Sequence, residues 1–368
     1  MAHTEPMAPD TAPADPTSAD PTPADPTPAD RDFAARADPY RRELMAHCYR
    51  MLGSVHDAED LVQETMLRAW RAFPDFDEER ASLRTWLHRI ATNACLNALE
   101  SRSRRPLPSD LRDPSTVADV PHHPTGRRPE IPWLQPFPDA LLGLGGASPA
   151  STGTASTGAA DPAAVVVARD TIRLAFVAAL QHLPARQRAV LILRDVLAWR
   201  AAEVADLLAI TPTAVNSALQ RARAQLARAA PAPDRAGPAP STRQQQLADR
   251  YLSAFVQADV DTLTRLLADE VVLEMPPFPQ WFRGRAAVGE FLAARALASA
   301  GRWQALPIHA NGQPAMAAYR KDPADGLHHA HSIQVLHTND QGLTWIAAFQ
   351  QPDLFPLFGL PAVYPGAS

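Results

Sequence analysis

Apolar residues recur at helical spacing in three stretches of the chain, and in each the polar face carries more than solvation requires. Ala201–Leu226, AAEVADLLAITPTAVNSALQRARAQL, reads as two amphipathic helices around a short turn. Thr211 can cap the second helix, and Pro212 suits its first position. Val215, Leu219, Ala222 and Leu226 then share one face, with Thr213, Asn216, Ser217 and Gln220 opposite. Short polar side chains on such a helix can bond base edges in a major groove, and Arg221 and Arg223 flank them for phosphates. The plainer reading is a hairpin inside a helical bundle.

The stretch Asp57–Trp70, DAEDLVQETMLRAW, has an inward stripe of Ala58, Leu61, Val62, Thr65, Met66 and Ala69. Asp60, Gln63, Leu67 and Trp70 form a second contiguous face, a mixture that suits protein docking; a helix buried on two sides is the alternative. In Ser82–Arg105, Leu83, Leu87, Ile90, Ala91, Ala94 and Ala98 point inward. Trp86, Arg89 and Asn93 share the outward side, extended by Arg102, Arg104 and Arg105. An aromatic to stack, an arginine for phosphate and an amide for a base edge suit melting or single-stranded DNA, although a solvated helix face would look similar.

Composition divides the chain. Residues 1–30 form a Pro/Asp-rich tail, expected to be disordered because it cannot bury enough apolar surface. A helical block covers 33–105, a Pro/Gly/Ala/Ser/Thr-rich linker 106–164, a second helical block 165–230, and a short proline-rich linker 231–240. The first linker holds one apolar island, Ile131–Leu142. From 241 to 368 the pattern changes to α+β. Helices are predicted near Thr242–Ala258, Asp261–Ala268 and Arg285–Ala300, and strands at Val271–Met275, Trp303–Ile308, Pro314–Arg320, His328–His337 and Leu343–Gln350.

The 368 residues carry a formal charge of −5, which does not announce a polyanion binder. Between Val165 and Ala230, however, nine arginines face four acidic residues, and that local excess suits a polyanion. Cys48 and Cys95 lie in helical patterns without metal-ligand spacing and read as core. With no visible signal peptide and no apolar run long enough for a bilayer, the expectation is a soluble cytoplasmic protein with no metal, no cofactor and no membrane partner.

In the last domain, Glu274, Trp281, His309, Asn311, Tyr319, His329, His331 and Trp345 could line a pocket, with His or Glu as acid or base. Nine basic against eleven acidic residues there give no reason to expect DNA contact. The default reading is a regulatory or ligand-binding module without turnover, so the chain is not expected to be an enzyme.

Together these motifs resemble the sigma-70 family of RNA polymerase initiation factors, in particular its extracytoplasmic-function group. Tyr40–Arg105 is similar to sigma domain two and Asp170–Ala230 to sigma domain four, through DAEDLVQETMLRAW, LRTWLHRIATNACLN and LPARQRAVLILRDVLAWRAAEVADLL. The resemblance implies a multidomain protein whose partners are the polymerase core, through the β′ clamp and β flap, and promoter DNA. It places Asp60, Leu61, Val62, Gln63, Leu67 and Trp70 on the helix that docks on the clamp. It puts the loop Asp77–Leu83 with Arg84, Thr85, Trp86, Arg89 and Asn93 at the minus-ten element, where a flipped base is held. Thr213, Asn216, Ser217, Gln220, Arg221 and Arg223 fall against the minus-thirty-five element.

Through YLSAFVQADVDTLTRLLADEVVLEMPPFPQWFRGRAAVGEFL (Tyr251–Leu292), Ser241–Ser368 resembles the SnoaL-like branch of the NTF2-like fold, which implies an α+β cone whose pocket could take an unknown small ligand. In similar fused factors a WLxP-type linker motif contacts this extension; Trp133, Leu134 and Pro136 in PWLQPFPD look like a variant. Two features depart from the group. The first linker is long, and Asn216-Ser217 stands where a Lys-Ser pair is common, so no promoter sequence carries over. The competing readings are a free-standing helix-turn-helix regulator and a SnoaL-like enzyme with an accessory DNA-binding region.

Overall fold

The computed structural model describes residues 28–101, 104–119, 126–143, 170–229, 242–297 and 301–366. The tail up to residue 27, Arg102, the Ala/Gly/Ser/Thr-rich part of the first linker and the 231–240 linker lie outside the described residues.

Four helices open the described chain: α1 (Pro28–Ala37), α2 (Arg41–Leu52), α3 (Val55–Ala72) and α4 (Leu83–Glu100). The expected tail therefore ends early, because its last three residues, Pro28–Asp30, begin α1. Phe33 explains why this helix is held: it is buried and meets Phe73 at 5.1 Å between ring centroids. Gly53, at φ +70°, stops α2, and Ser54 then caps α3 by accepting from the Asp57 amide at 3.1 Å. Ser82 caps α4 the same way through the Thr85 amide. Leu44, Cys48, Val62, Met66, Leu87 and Cys95 fill the space between these helices.

The second helical group comprises α5 (Leu174–Gln181), α6 (Ala185–Leu191, running on as a π turn through Val196), α7 (Ala201–Leu208) and α8 (Pro212–Ala229). Thr211 accepts from the Ala214 amide at 3.1 Å, making the cap that its position predicts.

The C-terminal domain begins with α9 (Thr242–Gln257) and α10 (Val260–Leu266). It continues through β1 (Leu267–Glu274), β2 (Trp281–Arg283), α11 (Arg285–Phe291), β3 (Trp303–Ala310), β4 (Gln313–Lys321), β5 (His328–Asn339) and β6 (Gly342–Phe349). The strand order is β2-β1-β6-β5-β4-β3, with β1 and β6 parallel and every other neighbour antiparallel. The helix predicted over Arg285–Ala300 is shorter: α11 gives way to a π turn at Leu292–Ala296. Two short elements, β2 and a closing 3-10 turn at Pro352–Phe358, have no counterpart in the sequence reading.

Both faces of this sheet are apolar. Leu273, Trp303, Met316, Ala318, Leu336 and Ile346 face α9–α11. Ala315, Ala317, Tyr319, Ile333, Val335, Trp345 and Phe349 face the other way, in one continuous cluster with Tyr49, Leu134, Phe137 and Leu174. Antiparallel sheets commonly leave one face to water; this one completes its second face with the helical domains, the linker and the closing turn.

Candidate protein- and nucleic-acid-binding surfaces

On α3 the two predicted faces separate. Asp60 and Gln63 are exposed, and Leu67 and Trp70 are 44% and 43% exposed. Leu61 is half-buried. Val62 is only 6% exposed and belongs to the core, so the structure removes it from the docking set: its position on the inward stripe outweighs its place in the motif. Phe33, Ala34, Asp38 and Arg41 form the far wall of a groove of about 340 Å³ whose near wall is Gln63, Met66, Leu67 and Trp70. The sequence reading missed α1 as part of this surface; the apolar Phe33 just past the tail was the available signal.

The α4 side is more occupied than its pattern implied. Trp86 is half-buried against Phe76, at 4.7 Å between centroids, in a row that continues to Phe73. Arg84 forms an ion pair with Glu43. Arg89 reaches α7 and pairs with Asp206 at 2.8 Å. The Thr85 amide is taken up by Ser82, and Asn93 is exposed. Arg104 and Arg105 are bound to Asp110 and Asp57 rather than extending a free basic strip.

On α8, Thr213, Asn216, Gln220 and Arg221 are exposed and Ser217 is half-buried, while Val215, Leu219 and Ala222 are in the core. Arg223 is held in a bidentate pair by Asp195, Nε to Oδ2 at 2.9 Å and Nη2 to Oδ1 at 2.6 Å.

The two helical groups touch directly. Arg50 donates to the Thr171 carbonyl at 3.0 Å and to its hydroxyl at 2.7 Å. Arg188 donates to the Met51 carbonyl and, at 2.9 Å, to Gln181 Oε1. Burial pulls both guanidinium pKa values down to about 10, the expected response of a cation removed from water.

The linker island binds all three parts. Trp133, Leu134 and Pro136 are buried. Gln135 Oε1 accepts from the Ser54 hydroxyl at 2.9 Å and the Val55 amide at 3.1 Å, and the Tyr49 hydroxyl donates to the Gln135 carbonyl at 2.7 Å. Gly53 takes the positive φ, and a Cβ there would lie 2.9 Å from Leu134 Cδ1, so a larger residue would have to push the Leu134 side chain aside. The β3–β4 turn completes the junction. Asn311, at φ +57° and fully buried, exchanges two bonds with the Phe137 backbone at 2.8 Å each. Its Nδ2 donates to the Tyr49 hydroxyl at 3.0 Å and the Ile172 carbonyl at 2.8 Å. The Gly312 amide donates to Asp139 at 2.7 Å.

The eight residues expected to line one pocket do not converge. Glu274 and Trp345 are bonded to each other at 2.8 Å on the sheet face turned away from α9–α11, and the Ser109 amide covers the carboxylate at 2.8 Å. Burial raises the Glu274 pKa despite these donors. Trp281 donates to the Arg112 carbonyl, Tyr319 to the Pro361 carbonyl, and Asn311 lies in the junction just described. His309 is exposed and His329 pairs with Asp325 at 2.7 Å. His331 alone packs on the α9–α11 side, against Trp303. Strand alternation carries no information about which face is which, and the sequence could not sort them. Glu274 and His331 thus stand on opposite faces and cannot act as an acid–base pair. Among the described residues no cluster of three or more His, Cys, Asp or Glu could hold a metal ion, and no helix is long and apolar enough to cross a membrane.

Comparison with known proteins gives the frame. Residues 37–105 match the model of sigma-70 region 2, residues 173–226 that of sigma-70 region 4, and residues 248–344 that of the SnoaL-like domain. The ECF RNA polymerase sigma factor SigG of Mycobacterium tuberculosis is 48% identical over 332 residues, 90% of this chain and 84% of its own. SigJ of the same organism is 30% identical over 231 residues, 63% of this chain and 61% of its own. The crystal structure of M. tuberculosis SigJ shares the fold, with a TM-score of 0.56 at 23% identity, over 89% of this chain and 99% of that one. Two sigma-70 regions in order, a SnoaL-like domain behind them and near-half identity along most of the length leave one conclusion: the chain belongs to the extracytoplasmic-function RNA polymerase sigma factors.

Proposed function

We propose that the chain docks on RNA polymerase core through Asp60, Leu61, Gln63, Leu67 and Trp70 and directs promoter-specific initiation. Trp86 and Asn93, with Arg84, Thr85 and Arg89, serve the minus-ten element. Thr213, Asn216, Ser217, Gln220, Arg221 and Arg223 serve the minus-thirty-five element. The observation that carries the docking assignment is the pair Leu67 and Trp70, large apolar side chains left almost half exposed beside Asp60 and Gln63.

The same reading makes the described arrangement a resting one. Elements about 25 base pairs apart lie roughly 85 Å apart at 3.4 Å per step. Domains joined by the Arg89–Asp206 pair at 2.8 Å cannot reach both. The C-terminal domain and the linker residues Trp133, Leu134 and Pro136 hold the two domains together, so the extension regulates by restraint and needs no turnover.

Co-elution of the full chain with purified core polymerase tests the docking, and permanganate-reactive thymines on a promoter with the holoenzyme test the melting. Absence of a complex with core overturns the proposal. DNA binding without opened thymines would instead support a free-standing regulator.

A further inference from the structure

The register of β4 and β5 slips by one residue: Ala318 pairs with Ser332, and Tyr319 pairs with Ala330. His331 is the extra residue, and a bulge of this kind re-aims a side chain. Its ring meets Trp303 edge-on at 4.9 Å, on the side of the sheet facing α9–α11. Trp303 is directly across from Arg320 on β4, and the Arg302 guanidinium lies 5.9 Å from the Trp303 ring centroid. Arg127 arrives from the linker and donates to the Gln350 carbonyl at 3.4 Å, just past the end of β6. Three arginines thus gather round one imidazole where β3 and β5 begin and β4 and β6 end.

Their charge is only partly balanced, by the field of Asp322 on Arg320. None of Arg127, Arg302 and Arg320 forms an ion pair among the described residues. Asp325 is occupied by His329, and Asp322 acts on Arg320 only through its field. Burial and the fields of all three arginines hold the His331 pKa down at about 3, so the ring is neutral. His331 Nδ1 is buried without a hydrogen-bond partner among the described residues. Like charge gathered beside a buried imidazole nitrogen that lacks a partner favours an anion at this place. An oxyanion removes the repulsion and can accept from guanidinium and imidazole together.

We propose that Arg127, Arg302, Arg320 and His331 form a binding site for a small oxyanion, the carboxylate or phosphate group of a low-molecular-weight ligand. The site joins the linker (Arg127) to the C-terminal sheet (Arg302, Arg320 and His331), so its occupant touches the two parts that restrain the DNA-binding domains. Anion binding is measured without polymerase, so its failure leaves the proposed function standing.

The test is thermal unfolding of the full chain at constant ionic strength, with sodium chloride replaced stepwise by inorganic phosphate in one arm and by sodium benzoate in the other. The expected result is saturable stabilisation in at least one arm, which assigns the group recognised. Arg302→Gln and Arg320→Gln should each raise the half-saturating concentration at least tenfold. Arg127→Gln, a change at an exposed linker side chain that leaves the sheet intact, should do the same. Responses that follow chloride in both arms, or half-saturation unchanged in all three variants, overturn the site.

Discussion

Asn311 Nδ2 donates to the Tyr49 hydroxyl at 3.0 Å, bonding the tip of a hairpin in the C-terminal domain to a helix of the first domain. An Asn-Gly tip is the ordinary two-residue hairpin turn, chosen for its tolerance of positive φ. Here the same residue is fully buried, and its amide also serves Phe137 and Ile172. The turn chemistry and the interdomain bond therefore depend on one side chain.

Replacing Asn311 by alanine deprives the Tyr49 hydroxyl, the Phe137 amide and the Ile172 carbonyl of a partner, and we expect a loss of about 3 kcal/mol. Asn311→Gly loses the same bonds but suits the backbone, so it should be about 1 kcal/mol less damaging than alanine. Tyr49→Phe should cost about 1 kcal/mol. Calorimetric unfolding of the three variants checks the order, and an Asn311→Ala protein as stable as the parent contradicts it.

The two faces of α3 call for opposite outcomes. Val62→Ala should destabilise by about 2 kcal/mol through the cavity it leaves, and lower core binding only in proportion to unfolding. Leu67→Ala with Trp70→Ala should shift stability by no more than about 0.5 kcal/mol, yet weaken binding to core polymerase at least tenfold. Urea unfolding beside a core-binding titration separates the two, and intact core binding by the double variant would reassign the groove.

The Arg89–Asp206 pair is 37% and 68% exposed, so its contribution to the resting arrangement is about 0.5 kcal/mol. Asp206→Ala should leave the melting temperature almost unchanged and raise promoter-fragment affinity of the holoenzyme about twofold. The gain should shrink as salt screens the pair in the parent. Anisotropy titrations at two salt concentrations provide the reading; weaker DNA binding by the variant would count against a restraining role.

Asp110 gives the protein an acid-sensitive joint. Burial opposes its charge, but hydrogen bonds from His182, Arg104 and the Leu107 amide together outweigh it and hold the pKa at about 2. A depressed carboxylate stabilises the fold above its unfolded pKa, and that contribution is lost as the pH falls through the folded value. The expected contribution is about 2 kcal/mol at pH 7, declining between roughly pH 4 and pH 2. Asp110→Asn should be less stable by that amount at neutral pH and flatter across the acid window, as urea titrations at stepped pH would reveal.

Much of the helical architecture was legible because periodicity and capping are local. Thr211 announces the start of α8, and the apolar stripes follow from spacing alone. The exposed pair Leu67 and Trp70 was readable for the same reason. What failed was long-range. That Arg89 would be met by Asp206, or Arg223 by Asp195, depends on how distant segments pack. Strand positions alternate whichever way the sheet is turned, so Glu274 and His331 looked alike in sequence although the fold sets them on opposite faces. The PWLQPFPD island was visible as apolar residues in need of cover, but nothing local marks Tyr49 and Asn311 as its partners.

The second apolar face of the C-terminal sheet has a practical consequence. Ile333, Val335 and Phe349 are each worth about 2 kcal/mol when shielded from water, and part of their cluster is built from the helices and the tether. Cutting the chain near residue 240 would leave sticky surfaces on both fragments. Deletion mutants of this protein would then report damaged solubility together with any lost control, and point substitutions at the seam are the cleaner instrument.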